Sequence, residues 1–217
     1  MPISLSRCRR FIHKHYPRDH LLVNDLDLTE RLTAITQLSL QTVHIPETTF
    51  DWDQDTLVLR QRRLMPQQFK NQPLIARRER LHELAQALDD IEPGVVHGDI
   101  AYKNIIFADE RLYLIDWEPS LYQVRRGRAT LVYTEPYLSA MDRKDNTLTS
   151  QTDRIGFFFC AFRAIHGINP LINTMQTIQA RQHSQMEFLP MDEHQLVKLS
   201  FSAIAKYAES LPDWRSN

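Results

Sequence analysis

The sequence predicts an α+β protein in two parts, a small strand-and-helix part over residues 1–64 and a mainly helical part over 65–217. Three observations carry that prediction. Residues 8–64 place short strand-like runs around a single helical stretch. A β-hairpin is written into the middle of the chain, with apolar runs at 105–107 and 112–115 flanking the turn-forming Ala108, Asp109 and Glu110. The stretches 74–91, 153–170 and 193–209 carry apolar residues at helical spacing or are apolar throughout.

The N-terminal part reads as follows. Residues 8–15 form a strand ended by a turn at Tyr16, Pro17, Arg18 and Asp19. Leu28, Leu32, Ile35, Leu38 and Leu40 then recur at steps near 3.6, which predicts a helix from Asp27 to Val43 capped by Asp27 or Thr29. Residues 46–53 and 56–64 return to strand, and Pro66 and Pro73 punctuate a connection. The helix over 74–91 carries Ile75, Leu81, Leu84, Ala85, Leu88 and Ile91 on its apolar side, and Pro93-Gly94 ends it. Residues 193–209 form an amphipathic helix that closes the second part.

The hairpin carries the chemistry. His97, Asp99, Lys103 and Asn104 lead into it, while Asp116 and Glu118 leave it. A hairpin holds its two ends side by side, so Asp99, Asn104 and Asp116 converge. Two carboxylates and an amide in one small volume suit a hard cation such as Mg²⁺, which commonly brings nucleotide phosphates with it. An ordinary hairpin with solvated acidic ends is the plain alternative, and the joint pattern H-x-D, Asn five residues on and I-D-W outweighs it.

HGDIAYKN followed by LIDWE resembles the catalytic loop and metal-binding motif of the protein-kinase-like superfamily, which includes eukaryotic-type protein kinases and aminoglycoside and choline kinases. The resemblance implies a two-lobed fold using ATP and Mg²⁺. By it, Asp99 is the catalytic base, Lys103 lies close to the transferred phosphoryl group, Asn104 and Asp116 are Mg²⁺ ligands, and His97 packs beneath the metal-binding segment. Lys14, on a strand followed by a helix, takes the place of the phosphate-binding lysine, with Glu30 as its partner and Ile106 beside the nucleotide. Without the resemblance, Lys14 is a surface lysine and Glu30 a first-turn residue that favours the helix dipole.

A second stretch agrees. Thr130, Tyr133 and Pro136 follow the T-x-x-Y-x-x-P form of a protein-kinase activation segment, which implies a cradle for a peptide. Residues 153–170 resemble the buried helix that follows it, with Asp153 accepting hydrogen bonds from the catalytic-loop backbone and Gly167 ending the helix. The phenylalanines 157, 158, 159 and 162 mark a helix buried all round.

Departures refine the expectation. The glycines stand at 94, 98, 127, 156 and 167, so no glycine-rich phosphate loop precedes Gly94. That leaves a reduced active kinase, an upper lobe completed by a partner chain, or a non-catalytic relative. Gly98 replaces the arginine common before the catalytic aspartate, and Glu118 replaces a glycine, as in choline-kinase-like enzymes. The run Arg125, Arg126 and Arg128 is a solvated loop or an attraction for an acidic substrate.

Charge is balanced, with 26 basic against 27 acidic residues, so no nucleic-acid partner is expected. Cys8 and Cys160 make no motif, and the scattered histidines, His183 and His194 among them, have no metal-ligand spacing. No apolar run reaches the roughly 18 residues of a membrane span, and no signal-peptide core is present. The expectation is a cytoplasmic kinase of protein hydroxyls, Ser/Thr favoured. A small-molecule kinase and a non-catalytic binding module are the alternatives.

Overall fold

The computed structural model describes residues 3–5, 10–18, 25–38, 43–65, 72–91, 95–117, 149–167 and 193–211. The first sheet is antiparallel with strand order β1-β2-β5-β4, built from β1 (Ile3–Leu5), β2 (Phe11–Pro17), β4 (Thr48–Asp53) and β5 (Thr56–Arg62). Period-2 alternation sorts its residues. Lys14 and Tyr16 of β2 are buried with their cross-strand partners Leu59 and Leu57 of β5, while Arg60 and Arg62 face solvent. Helix α1 (Asp25–Gln37) lies against β4 and buries Leu32 and Ile35.

The second sheet joins β3 (Val43–His44), β7 (Arg111–Leu114) and β6 (Ile105–Ala108), with β3 parallel to β7. The β6–β7 hairpin pairs Ala108 with Arg111, leaving a two-residue turn, Asp109-Glu110. Both turn residues have positive φ, 49° and 59°. That is the backbone a tight two-residue hairpin favours, because its twist matches the strands.

Beyond it lie α2 (Leu74–Asp89), α3 (Ser150–His166), the short α4 (Glu193–Leu196) and α5 (Phe201–Ser210), with α2, α3 and α5 in mutual contact. Helix α3 is buried nearly all round and starts at Thr149, whose hydroxyl oxygen accepts from Gln151 N. It ends at Gly167, whose φ of 69° is the left-handed conformation that closes a helix. Asp89, at the end of α2, accepts from Phe201 N at 2.7 Å and Ser202 N at 3.0 Å. It thus caps α5 with a carboxylate at the positive end of the helix dipole.

The α+β expectation holds, with local corrections. Strand β2 runs through Tyr16 and Pro17, where a turn was expected, because Tyr16 is a core residue. The helix predicted to Val43 stops at Gln37, and Val43, buried to 1 % exposure, pairs with Leu112 instead. A β-branched residue with a partner strand outweighs helical periodicity. The expected helix over 193–209 is two helices, since Ser200 and Asp89 cap a new start at Phe201.

The Asp89 cap ties two helices together through one side chain. Asp89→Ala is expected to lower unfolding free energy by about 1–2 kcal/mol, read by urea denaturation, with Asp89→Asn losing less. An unchanged midpoint would remove the cap from the account.

Candidate active site

The hairpin sets the register of the site. Ile105 pairs with Leu114, and Ile115 N donates to Asn104 O at 2.9 Å, so Asn104 and Asp116 stand at adjoining strand ends. Asp116 is held at φ 62°, a conformation most side chains avoid. Trp117 follows, buried, with its indole N–H on Leu114 O at 3.0 Å and its ring 4.7 Å from that of His97.

Residues 97–104 are shaped by three contacts. The Asp153 carboxylate accepts from His97 N at 2.8 Å and from Gly98 N at 2.7 Å. Gly98 has φ 84°, so glycine suits the bend before Asp99. His97 Nδ1 accepts from Asp99 N at 3.2 Å. A backbone N–H can only donate, so the ring proton is on Nε2, which donates to Ile115 O at 2.9 Å. One neutral imidazole therefore spans both polar segments. Burial pushes the His97 pKa down to about 4, against the backbone bond to Ile115 and the pull of Asp99 and Asp116.

Asp99 and Asn104 are buried and joined directly. Asn104 Nδ2 donates to Asp99 O at 2.8 Å and to Asp99 Oδ2 at 3.2 Å, which commits the amide nitrogen and leaves the oxygen as an acceptor. Lys103, mostly exposed, reaches Asp99 Oδ2 at 3.3 Å. Helix α3 comes so close beneath the loop that a Cβ on Gly156 would lie 2.3 Å from Ile100 O.

The first sheet contributes Lys14. Its buried ammonium lies 2.7 Å from Asp116 Oδ1, a pair 102 residues apart in sequence. The expected partner, Glu30, is exposed. Lys14 is thus drawn to the hairpin carboxylate instead of the one on α1. Gln61 shares the Lys14 face of the sheet and is buried; its amide nitrogen donates to Thr48 Oγ1 at 3.2 Å, and that hydroxyl donates to Pro46 O. Ile106 is half-buried on β6, on the opposite face from the buried Ile105 and Phe107. Thr130, Tyr133, Pro136, Glu118 and the arginines 125, 126 and 128 lie outside the described residues.

The structure therefore brings Lys14, His97, Asp99, Lys103, Asn104, Asp116 and Asp153 into one connected set and leaves Glu30 outside it. Among the described residues, no cluster of three histidine, cysteine, aspartate or glutamate side chains forms a ready-made metal cage. The donor set suits Mg²⁺ all the same. That ion usually takes one or two carboxylates and completes its shell with waters and substrate phosphates. Asp116 is 41 % exposed and Lys14 engages one of its oxygens, and among the described residues the hydrogen bonds of the Asn104 amide run through its nitrogen. Sequence reasoning missed Gln61, Asp89 and the tight fit at Gly156. A glutamine in a strand at an apolar-facing position was the available signal for the first; the other two are tertiary and leave no local mark.

Comparisons with known proteins bear on the family and the fold. A family model described as "APH: Phosphotransferase enzyme family" matches residues 9–125, more than half of the chain. No curated protein sequence matches. Among solved structures, the chain is similar to the pseudokinase domain of BIR2, an immune regulator of the RLK/Pelle family, with a TM-score of 0.58 and 11% identity over 97% of this chain and 72% of that one. It is also similar to the Cydia pomonella granulovirus kinase PK-1, with a TM-score of 0.53 and 15% identity over 74% of this chain. The match spans 61% of the granulovirus kinase. These likenesses show a kinase-like fold. No helix among the described residues is long and apolar enough to cross a membrane.

The buried neutral His97 makes a pH prediction. Its folded pKa, about 4, lies below the ordinary histidine value of 6.5, so the unfolded chain binds more protons between those values and stability falls as pH drops through that window. From pH 7.5 to 5 the contribution lost is about 2 kcal/mol. His97→Gln is expected to flatten the pH dependence of urea unfolding by that amount. Parallel curves for the two proteins would contradict a buried neutral imidazole.

Proposed function

The chain belongs to the phosphotransferase enzyme family, and on that premise we propose that it transfers the γ-phosphoryl group of ATP to a hydroxyl, with serine or threonine of a protein as the favoured acceptor. The observation that carries the reading is the convergence of Lys14 from the first sheet with Asp116, Asn104 and Asp99 from the two ends of the hairpin. Chemistry of this kind is mostly positioning and electrostatics.

In this reading Asp99 orients the acceptor hydroxyl and takes its proton. Its carboxylate is fixed by Asn104 below and Lys103 beside it. Asn104 and Asp116 hold Mg²⁺, which supplies charge neutralisation for the phosphates when bound. Lys14 grips the α- and β-phosphates, and Lys103 offsets charge that develops during transfer. His97 and Asp153 act through other residues: they hold the loop and the Ile115–Asp116 backbone in register. In this reading the lobe boundary falls at 64/65, and a partner chain completing the upper lobe belongs to the same proposal.

The acceptor class rests on two supports. The 130–136 sequence has protein-kinase form. The described surroundings of Asp99 carry Lys103 and, over the neighbouring Tyr102, Arg163. A pocket for a cationic aminoglycoside or choline would need carboxylates there. A small-molecule kinase remains the second reading, favoured by the description of the matching family and by HGD and IDWE. The lack of a glycine before Gly94 and the likeness to a pseudokinase domain favour a non-catalytic module.

Incubation with γ-labelled ATP and a cell lysate separates the three. Labelled protein bands that vanish in Asp99→Ala are expected, with the rate falling about 10²–10⁴-fold for loss of a general base. Labelled metabolites alone would point to the small-molecule reading. No label together with no thermal shift at millimolar Mg·ATP would contradict the proposal.

A further inference from the structure

Helix α3 lies under the catalytic loop along one stripe. Asp153 meets His97 and Gly98, Gly156 and Cys160 meet Ile100, and Arg163 meets Tyr102. The positions step by three or four residues, so one helix face tracks the loop. At the far end of that stripe the character changes from anchoring to charge. The Arg163 guanidinium sits 4.4 Å from the centre of the Tyr102 ring, and Arg77 of α2 donates to the Tyr102 hydroxyl. Lys103 comes next in the chain, with its ammonium 3.3 Å from the Asp99 carboxylate.

The neighbouring arginines are paired with a carboxylate or spent on carbonyls, whereas Arg77 and Arg163 are engaged through Tyr102. Arg80 chelates Glu83 at 2.7 and 2.9 Å, and Arg154 is spent on the Leu199 and Ser150 carbonyls. Among the described residues no carboxylate pairs with Arg77 or Arg163, and Arg77 Nε is buried without a hydrogen-bond partner. Tyr102, Arg77 and Arg163 are each half-buried, so their outer parts reach the surface beside the loop. Partly exposed cations that meet no counter-ion among the described residues suit a carboxylate supplied from outside.

We propose that Arg77, Arg163 and Lys103 form a docking site for acidic side chains of a peptide whose hydroxyl is presented to Asp99. Calling that segment an acceptor rests on the phosphotransferase reading; the charge selection does not. The alternative is purely structural: stacking of Arg163 on Tyr102 that braces the loop.

Dye-labelled peptides with one serine flanked by glutamate, glutamine or lysine, titrated into the full chain by fluorescence anisotropy, test the proposal. The glutamate peptide is expected to bind about tenfold tighter than the glutamine peptide, with the advantage shrinking as salt rises. Arg163→Gln and Arg77→Gln should each remove most of that advantage, and Arg163→Lys should keep part of it. The comparison of peptides on the unaltered protein stands even if a variant fails to fold. Equal binding of the glutamate and glutamine peptides, or a preference for lysine, would overturn the proposal, as would an advantage that persists undiminished in a folded Arg163→Gln. Phosphate transfer measured on the same peptides keeps the two readings apart. Acidic preference without transfer supports the docking site and counts against the enzyme; transfer without preference overturns the docking site alone.

Discussion

The structure depends on the contact between Lys14 and Asp116. Lys14 stands on the middle of β2, paired on both sides by β1 and β5, and its ammonium is buried. Burying an ammonium is costly unless a carboxylate meets it. The carboxylate comes from the end of the hairpin in the second sheet, so the two sheets share one ion pair. A fully buried pair broken on one side costs about 3–5 kcal/mol. Asp116 is 41 % exposed and water screens it, so this pair is worth less. Its importance is positional: the residue proposed for phosphates and the residue proposed for Mg²⁺ already face one another.

A second constraint fixes the other side of the site. Helix α3 is a template against which the loop is pressed, with Asp153 satisfying two backbone donors and Gly156 providing the clearance for Ile100. His97 then spans from loop to hairpin with both ring nitrogens in use. Neither segment can shift without leaving a buried polar group unpaired, which is expensive in a low-dielectric interior. The strained φ of Asp116 persists because its surroundings determine it on several sides.

Much of this was legible in the sequence, and the reason is local. The hairpin runs at 105–107 and 112–115 and their polar flanks lie within about two dozen residues, so alternation and turn chemistry predict the convergence of Asn104 with Asp116. The α3 boundaries were near at hand too, because Gly167 is a recognisable stop. What escaped was decided at long range. Lys14 could be singled out, but its choice of Asp116 over Glu30 depends on how a sheet and a hairpin pack. Val43 follows helical spacing and still pairs with β7, since burial beside Leu112 outweighs periodicity. Arg163 looks like one charge on a buried helix until Tyr102 is seen beneath it.

The central claim is that Lys14 and Asp116 meet around a Mg–nucleotide, each through a different charge. Calorimetric titration of ATP with and without Mg²⁺, on the unaltered chain and on Lys14→Met and Asp116→Ala, tests it most directly. The account predicts that Mg²⁺ tightens ATP binding in the unaltered chain, that Asp116→Ala loses that Mg²⁺ dependence, and that Lys14→Met weakens ATP whether or not the metal is present. ATP affinity indifferent to Mg²⁺ and to both substitutions would contradict it.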